Sequence, residues 1–334
     1  MMRVAINGFG RIGRLVLRAW LESTQHSDFD IVALNDLAPG ETNAHLLNYD
    51  SVHGRLATPA MVDGDNLKIG DRTIRMLRVA TPADLPWTDL KIDLVLECSG
   101  RFTKRADAEQ HLKAGAKKVL VSAPATDDDI TVVYGVNHQD LKPEHTIVSN
   151  ASCTTNCLAP LAAVLDAAIG IERGFMTTIH SYTGDQRLVD TAHEDLHRAR
   201  AAAQSIIPTS TGAAKAVGKV LPRLKGKLDG TAIRVPTPNV SAVDFKFDAA
   251  RDTTVDEVNA VLKAAAEGDL KGILAVSAAP LVSIDLNHDA HSSTVMLPET
   301  KVIDGRFVRV FSWYDNEWGF SNRMLDVASL MAKG

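Results

Sequence analysis

Two groups of residues in this chain of 334 have types and spacings that could carry chemistry. The first surrounds Cys153, in the polar run Ser149-Asn150-Ala151-Ser152-Cys153-Thr154-Thr155-Asn156-Cys157, which joins an apolar strand to the apolar helical run 158–169. A thiol at a helix start meets backbone N–H groups without intrahelical acceptors and the positive end of the helix dipole, and both favour thiolate. Cys153 is therefore the candidate nucleophile; the alternative for an isolated cysteine is a small buried hydrophobe. Cys157, one turn on, is expected to pack beneath it, and Cys98, after an apolar strand, to be structural. A nucleophilic thiol needs a base. Among the 11 histidines, His180 ends the extended run 175–179 and opens the polar turn Ser181–Asp185. It is the candidate base, with a packed core histidine as the alternative.

The second group is Gly8-Phe9-Gly10-Arg11-Ile12-Gly13, with an acid, Asp36, standing 23 positions after the last glycine. Gly8 is expected to make the tight turn, Gly10 to let a pyrophosphate approach the backbone, and Gly13 to let a helix lie close to a strand. The amides of Arg11 and Ile12 would meet phosphate at a helix N-terminus. Asp36 would accept hydrogen bonds from an adenosine ribose and repel a 2′-phosphate, which favours NAD over NADP. A strand–helix turn without ligand is the alternative.

These groups need elements to hold them. Residues 2–7 read as a short apolar strand, and Ile12, Leu15, Val16, Ala19 and Trp20 follow at amphipathic-helix spacing. A second strand, 30–34, ends in Asn35-Asp36, completing a strand–helix–strand unit. Strand-like runs at 92–97, 118–121, 131–136 and 146–149, with a helical stretch from about 103 to 114, predict a parallel sheet covered by helices. After residue 150 the texture changes. Val243, Phe245 and Phe247 alternate with Asp244 and Lys246, and 307–314 is again extended, which predicts a half-exposed, largely antiparallel sheet. Thr254-Val255-Asp256-Glu257 has the form of a capping box. The fold class expected is α/β: a Rossmann-type dinucleotide-binding domain, 1–152, plus an α+β catalytic domain, 153–316, and a final helix, 317–334, whose pattern allows packing on either. The irregular, charged stretch 181–206 is expected to touch ligand or another subunit.

The composition excludes several classes. With 36 Lys+Arg against 41 Asp+Glu the net charge is −5, which gives no electrostatic footprint for nucleic acid or an anionic membrane. Three cysteines do not make a disulfide framework, and no run is apolar enough to span a bilayer, so a reduced cytoplasmic setting is expected. No metal site is expected.

INGFGRIGR at 6–14, SNASCTTNCLAP at 149–160, TTIHSYTGDQ at 177–186, RARAAAQSIIPTSTGAAKAVG at 198–218, RVPTPNVS at 234–241 and SWYDNEWGFSNR at 312–323 together resemble phosphorylating glyceraldehyde-3-phosphate dehydrogenase of the bacterial type. The resemblance implies that Cys153 attacks the aldehyde of glyceraldehyde 3-phosphate, that His180 takes the proton as hydride passes to NAD, and that inorganic phosphate releases the thioester as 1,3-bisphosphoglycerate. It places one phosphate on Thr183, Asp185 and Arg234, and the other on Ser152, Thr154, Arg198, Thr211 and Gly212. Asp185, an acid, is expected to orient Arg234 or a hydroxyl. On the cofactor side it carries over Arg11, Ile12, Asp36, Ser99, Phe102, Ser122 and Asn316, the last toward the nicotinamide carboxamide. It also implies a homotetramer and the return of the final helix, 317–334, to the first domain.

The chain departs from the family pattern in places. Phe320 replaces a tyrosine near the nicotinamide, Ala80-Thr81-Pro82 lacks an arginine on the adenine side, and Thr191-Ala192 replaces a Leu-Pro pair that helps exclude NADP. One alternative function is erythrose-4-phosphate dehydrogenase, against which Thr183 and Pro208-Thr209-Ser210-Thr211-Gly212 speak. Another, of a different class, is a nucleotide-binding regulatory or adhesive protein that retains the fold.

Overall fold

The computed structural model describes residues 1–333. They form two compact units, one of Met1–Val132, His138–Ser152 and the residues from Ser321 on, the other of Val133–Asn137 and Cys153–Phe320.

Among the described residues the first unit holds a nine-stranded sheet, in the order 130–131, 147–149, 118–121, 94–97, 2–7, 29–35, 72–77, 66–69, 60–63. The strands from 130–131 to 72–77 pair in parallel, and the last two add antiparallel. Val4, Ala5, Ile6, Leu94, Val95 and Leu96 are fully buried, which is why these strands read as continuous apolar runs. From Met2–Asn7 the chain goes to 29–35 on one side and 94–97 on the other, so ligands are expected in the crevice beyond its C-terminal end. The helix Arg11–Glu22 starts there. Gly8, at φ +88, makes the turn, and a Cβ on Gly13 would stand 2.1 Å from the Gly8 carbonyl oxygen. In the terminal helix Trp318–Lys333, the Met331 carbonyl accepts from Lys118 Nζ at 3.4 Å, tying the chain end to this sheet.

The second unit carries an eight-stranded sheet, ordered 207–210, 228–235, 171–181, 241–249, 307–314, 293–296, 274–277, with 301–303 beside 307–314. It is largely antiparallel but mixed: Ile171–Ser181 runs parallel to Leu228–Val235, and Leu274–Ser277 parallel to Ser293–Met296. Val243, Phe245 and Phe247 are buried and Asp244 and Lys246 half-buried, as their alternation predicts. Leu158, Leu161, Ala162 and Leu165 form the buried stripe of the helix Cys153–Ala168, which runs through Pro160. No helix among the described residues is long and apolar enough to cross a membrane.

Three local expectations change. The strand expected over 131–136 stops at Thr131, because Gly135 at φ +86 turns the chain and Asn137 Oδ1 accepts from the Val133 N–H at 2.8 Å. The capping box is half formed: Thr254 Oγ1 accepts from Glu257 N–H at 3.2 Å, while the Glu257 carboxylate turns to Arg251 and Thr253. The strands 60–63, 66–69 and 72–77 were not read from sequence; each is short, and they are joined by turns at Gly64 and Gly70, both at positive φ.

Replacing Gly13 by alanine drives a Cβ into backbone that cannot yield, and should destabilise the protein by ~2 kcal/mol or more. Gly10, at φ −71 with no atom within 4 Å of a built Cβ, should tolerate alanine to within ~1 kcal/mol. Urea unfolding of the two variants measures the contrast.

Candidate active site

Cys153 opens its helix just after Ala151, whose φ of +56 is costly for a residue with a Cβ. His180 lies near the end of Ile171–Ser181, where parallel register sets it beside Arg234. Cys153 Sγ is 3.5 Å from His180 Nε2. His180 Nδ1 is 2.6 Å from the Ser181 carbonyl oxygen, which can only accept, and 3.0 Å from Arg234 Nη1, which can only donate; the shorter contact puts the proton on Nδ1, and Nε2 then offers its lone pair to sulfur. Arg234 Nη1 donates to the same carbonyl at 3.1 Å and to Thr183 Oγ1 at 3.4 Å. Tyr314 closes the other side. Its ring meets the imidazole edge-on, and its hydroxyl bridges Thr154 Oγ1 at 2.8 Å and Thr178 Oγ1 at 2.9 Å.

Burial pushes the Cys153 thiol up, against the pull of the Arg234 charge, the Thr154 hydroxyl and the N–H groups at the helix start. Burial and the Arg234 charge push His180 down to about 3, against its bond to the Ser181 carbonyl. The N–H groups at the helix start act toward thiolate, as expected, while desolvation acts against a thiolate–imidazolium pair. The site holds instead an unprotonated imidazole at neutral pH, able to take the thiol proton as the nucleophile forms.

The predicted phosphate residues of this unit fall into two groups. Arg234 and Thr183 stand together beside His180, as above. Arg198 lies in 182–206, which contains neither helix nor strand, and is held by Asp185 Oδ2 at 2.7 Å, Thr209 Oγ1 at 3.0 Å and the Ser210 carbonyl at 3.3 Å. Asp185 therefore orients Arg198 and not Arg234, whose Nη1 is taken by Ser181 and Thr183. Thr211 and Gly212 follow Ser210 at the start of the helix Ala213–Val220, where Thr211 Oγ1 accepts from the Ala213 N–H at 3.2 Å. Thr154 adjoins the nucleophile, with Oγ1 at 4.0 Å from Sγ. Asn316 is also on this unit, its Oδ1 accepting from Ser241 Oγ at 2.8 Å. Ser152 falls on the first unit.

On the first unit, Gly8, Gly10, Asp36, Ser99, Arg101 and Phe102 line one cleft, with Leu37, Val79 and Ala80 as apolar wall. The residues fit a dinucleotide. A Cβ on Gly10 would enter open space, so the backbone there can be approached, and the first turn of Arg11–Glu22 carries no acid to oppose a phosphate. The Asp36 carboxylate is fixed by the Phe9 N–H at 2.8 Å and the Ala38 N–H at 2.9 Å. Arg11 Nη1 donates to Asp50 at 2.6 Å, which leaves its backbone, with that of Ile12, as the part set for phosphate. Ser122 N–H donates to the Glu97 carbonyl at 3.0 Å.

Sequence reasoning missed Tyr314, Ser241 and a buried network under the cleft. Trp87 Nε1 donates to His111 Nδ1 at 3.0 Å, so His111 Nε2 carries the proton and donates to Glu97 Oε2 at 2.9 Å. Asn7 Nδ2 donates to the same oxygen at 2.6 Å, and the Ser99 N–H and hydroxyl donate to Oε1. Asn35 then links Asn7 Oδ1 to the Val79 backbone. An acid ending the apolar run 92–97 was the available signal.

Residues 2–105 match the family model described as glyceraldehyde 3-phosphate dehydrogenase, NAD binding domain, and 152–316 the model of the C-terminal domain of the same enzyme. The chain is 62% identical over 332 residues to a glyceraldehyde-3-phosphate dehydrogenase of Xanthobacter flavus, covering 99% of both proteins. It is 60% identical to that of Cereibacter sphaeroides, again over 99% of both, and 58% identical to that of Geobacillus stearothermophilus, over 99% of this chain and 98% of the other.

Replacing Arg234 by methionine removes the cation that lowers both reacting groups. The pH midpoint for iodoacetamide alkylation of Cys153 should move up, and the His180 titration, followed by NMR, should move up from about 3. An alkylation profile that does not move would mean that the sulfur feels no charge from Arg234. Gly10→Ala, stable by the reasoning above, should weaken NAD binding in a fluorescence titration.

Proposed function

The chain belongs to the glyceraldehyde-3-phosphate dehydrogenase family and is an NAD-binding oxidoreductase of that activity; from that premise we propose that oxidation and phosphorylation run through a thioester on Cys153. The observation that carries this reading is the 3.5 Å approach of Sγ to an imidazole nitrogen whose lone pair faces it. His180 takes the thiol proton as sulfur adds to the aldehyde carbon and returns it to the carbonyl oxygen. The resulting hemithioacetal gives up a hydride from that carbon and a proton from its hydroxyl to reach the thioester, with His180 as the proton acceptor. NAD, when bound, supplies the two-electron acceptor. An oxygen of inorganic phosphate then attacks the acyl carbon, the C–S bond breaks, and sulfur leaves as thiolate. Sulfur suits both roles, nucleophile and leaving group.

Two anions must be held during the sequence, the substrate phosphate and the attacking phosphate. Arg234 with Thr183, and Arg198 with Thr154, Thr211, Gly212 and Ser152, supply the two sets, guanidinium forks matching phosphate oxygens in pairs. Asp185 serves the second set by fixing Arg198. Residues 1–152 are assigned to NAD, 153–316 to catalysis, and the helix from 317 to completion of the NAD-binding domain. Gly8, Gly10, Gly13, Arg11 and Ile12 take the pyrophosphate, Asp36 the ribose, Ser99, Phe102 and Ser122 the rest of the nucleotide, and Asn316 the carboxamide. The anchored carboxylate of Asp36 favours NAD over NADP. Leu188, Val189, Leu196 and Ile206 are strongly exposed in 182–206, which supports a homotetramer in which this segment meets a second subunit. Three free cysteines suit a reducing, cytoplasmic compartment.

Cys153→Ser should lower turnover by about 10³-fold or more, and His180→Asn by about 10²- to 10⁴-fold in the oxidation step; both are read as NADH formation with and without phosphate. Mass spectrometry of the enzyme turning over without phosphate should find the acyl group on Cys153. Higher catalytic efficiency on erythrose 4-phosphate would replace this reading with the alternative substrate.

A further inference from the structure

Ser241 opens the strand Ser241–Ala249 directly after Val240, a β-branched residue held at φ +66. That conformation is strained for valine and persists only where surrounding bonds over-determine it. Here they do: the Val240 carbonyl accepts from the Ser181 hydroxyl at 2.8 Å, and the Ser181 N–H donates to Ser241 Oγ at 3.0 Å. Ser241 is fully buried, so its hydroxyl proton needs a protein acceptor, and Asn316 Oδ1 lies 2.8 Å away. The direction of this bond fixes the amide: Asn316 turns its oxygen to Ser241 and its Nδ2 away. Among the described residues Nδ2 of Asn316 makes no hydrogen bond, although the residue is 5% exposed. Two residues before Ser241 and one before Asn316, Asn239 Nδ2 donates to Asp315 Oδ2 at 2.8 Å, so 239–241 grips 315–316 at two points.

We propose that Ser241 is a positioning residue for the cofactor: it locks the Asn316 amide with the amino group outward, so that this side chain offers a donor and never an acceptor. The inference rests on the reading that Asn316 meets the nicotinamide carboxamide. Without Ser241 the amide can rotate by half a turn and present oxygen instead, which would meet the carboxamide amino group and no longer select one orientation of the ring. The same hydroxyl receives the N–H of Ser181, the residue whose carbonyl fixes the His180 tautomer. One buried oxygen thus links the base to the group that orients the hydride acceptor.

Binding of NAD and of ADP-ribose, which lacks the nicotinamide, separates the possibilities. Ser241→Ala should weaken NAD by about tenfold, the size of one oriented hydrogen bond, and leave ADP-ribose unchanged. In an Asn316→Ala background it should add nothing, and during turnover with deuterated substrate the transferred label should appear on both faces of the ring. Equal loss for both ligands, or a full further loss on top of Asn316→Ala, would make Ser241 a structural residue only. If Asn316→Ala itself leaves NAD affinity intact, the role of Asn316 falls and this one with it. Asn316→Asp covers the case in which Ser241→Ala does not fold: it keeps an oxygen toward Ser241 but has no donor to offer, and should show the same NAD-selective loss. Wild-type affinity for NAD in that variant overturns the proposal.

Discussion

The proposed chemistry turns on where one proton sits on the His180 ring. The Ser181 carbonyl takes it at Nδ1, and with that bond the other nitrogen has nothing to give and a lone pair to offer sulfur. A peptide carbonyl is an acceptor whatever the pH, so this assignment does not depend on a titrating partner. An aspartate in that place would favour a protonated imidazole; the carbonyl pulls in the same direction, but burial and the Arg234 charge outweigh it. Burial works against a thiolate at Cys153, and in the proposed reaction the thiol proton is drawn off as the bond to carbon forms. Much of the second unit serves this arrangement. Sheet register brings Arg234 beside His180, and the hydroxyl of Tyr314 joins the Cys153 helix to the His180 strand through two threonines.

The first unit solves a different problem, holding open a cleft over the ends of parallel strands. A buried carboxylate, Glu97, sits at the centre, 1% exposed and met by four donors from Asn7, Ser99 and His111. Burying such a group costs several kcal/mol unless its lone pairs are filled, and here they are. Three of these donors come from Asn7, at the end of Met2–Asn7, and Ser99, after Leu94–Glu97, both lining the cleft; His111 donates from the helix Arg105–Lys113.

The sequence made some of this legible and hid the rest for definable reasons. The glycine turn could be read because each glycine answers a local steric demand, and Cys153 because a polar run before an apolar helix is unusual. The strand pattern around 243–247 could be read because one face is wet. His180 was ambiguous: its role depends on Arg234 and Cys153, 54 and 27 positions away, and only sheet register brings them together. The partner of Asp185 could not be read either, since 182–206 has no periodicity from which to infer which arginine it meets. Ser241 gave no signal, because a serine in an alternating strand looks like any other.

The chain Trp87–His111–Glu97–Asn7–Asn35–Val79 runs across the sheet beneath the nucleotide cleft, and most of its polar atoms are out of reach of water. Side chains fixed in this way lose little further freedom when a ligand arrives. The ordering of these side chains is thus largely finished during folding. Amide protons of Asn7, Cys98 and Ser99 should therefore exchange slowly, and a bound nucleotide should change their protection less than that of the helix start at Arg11.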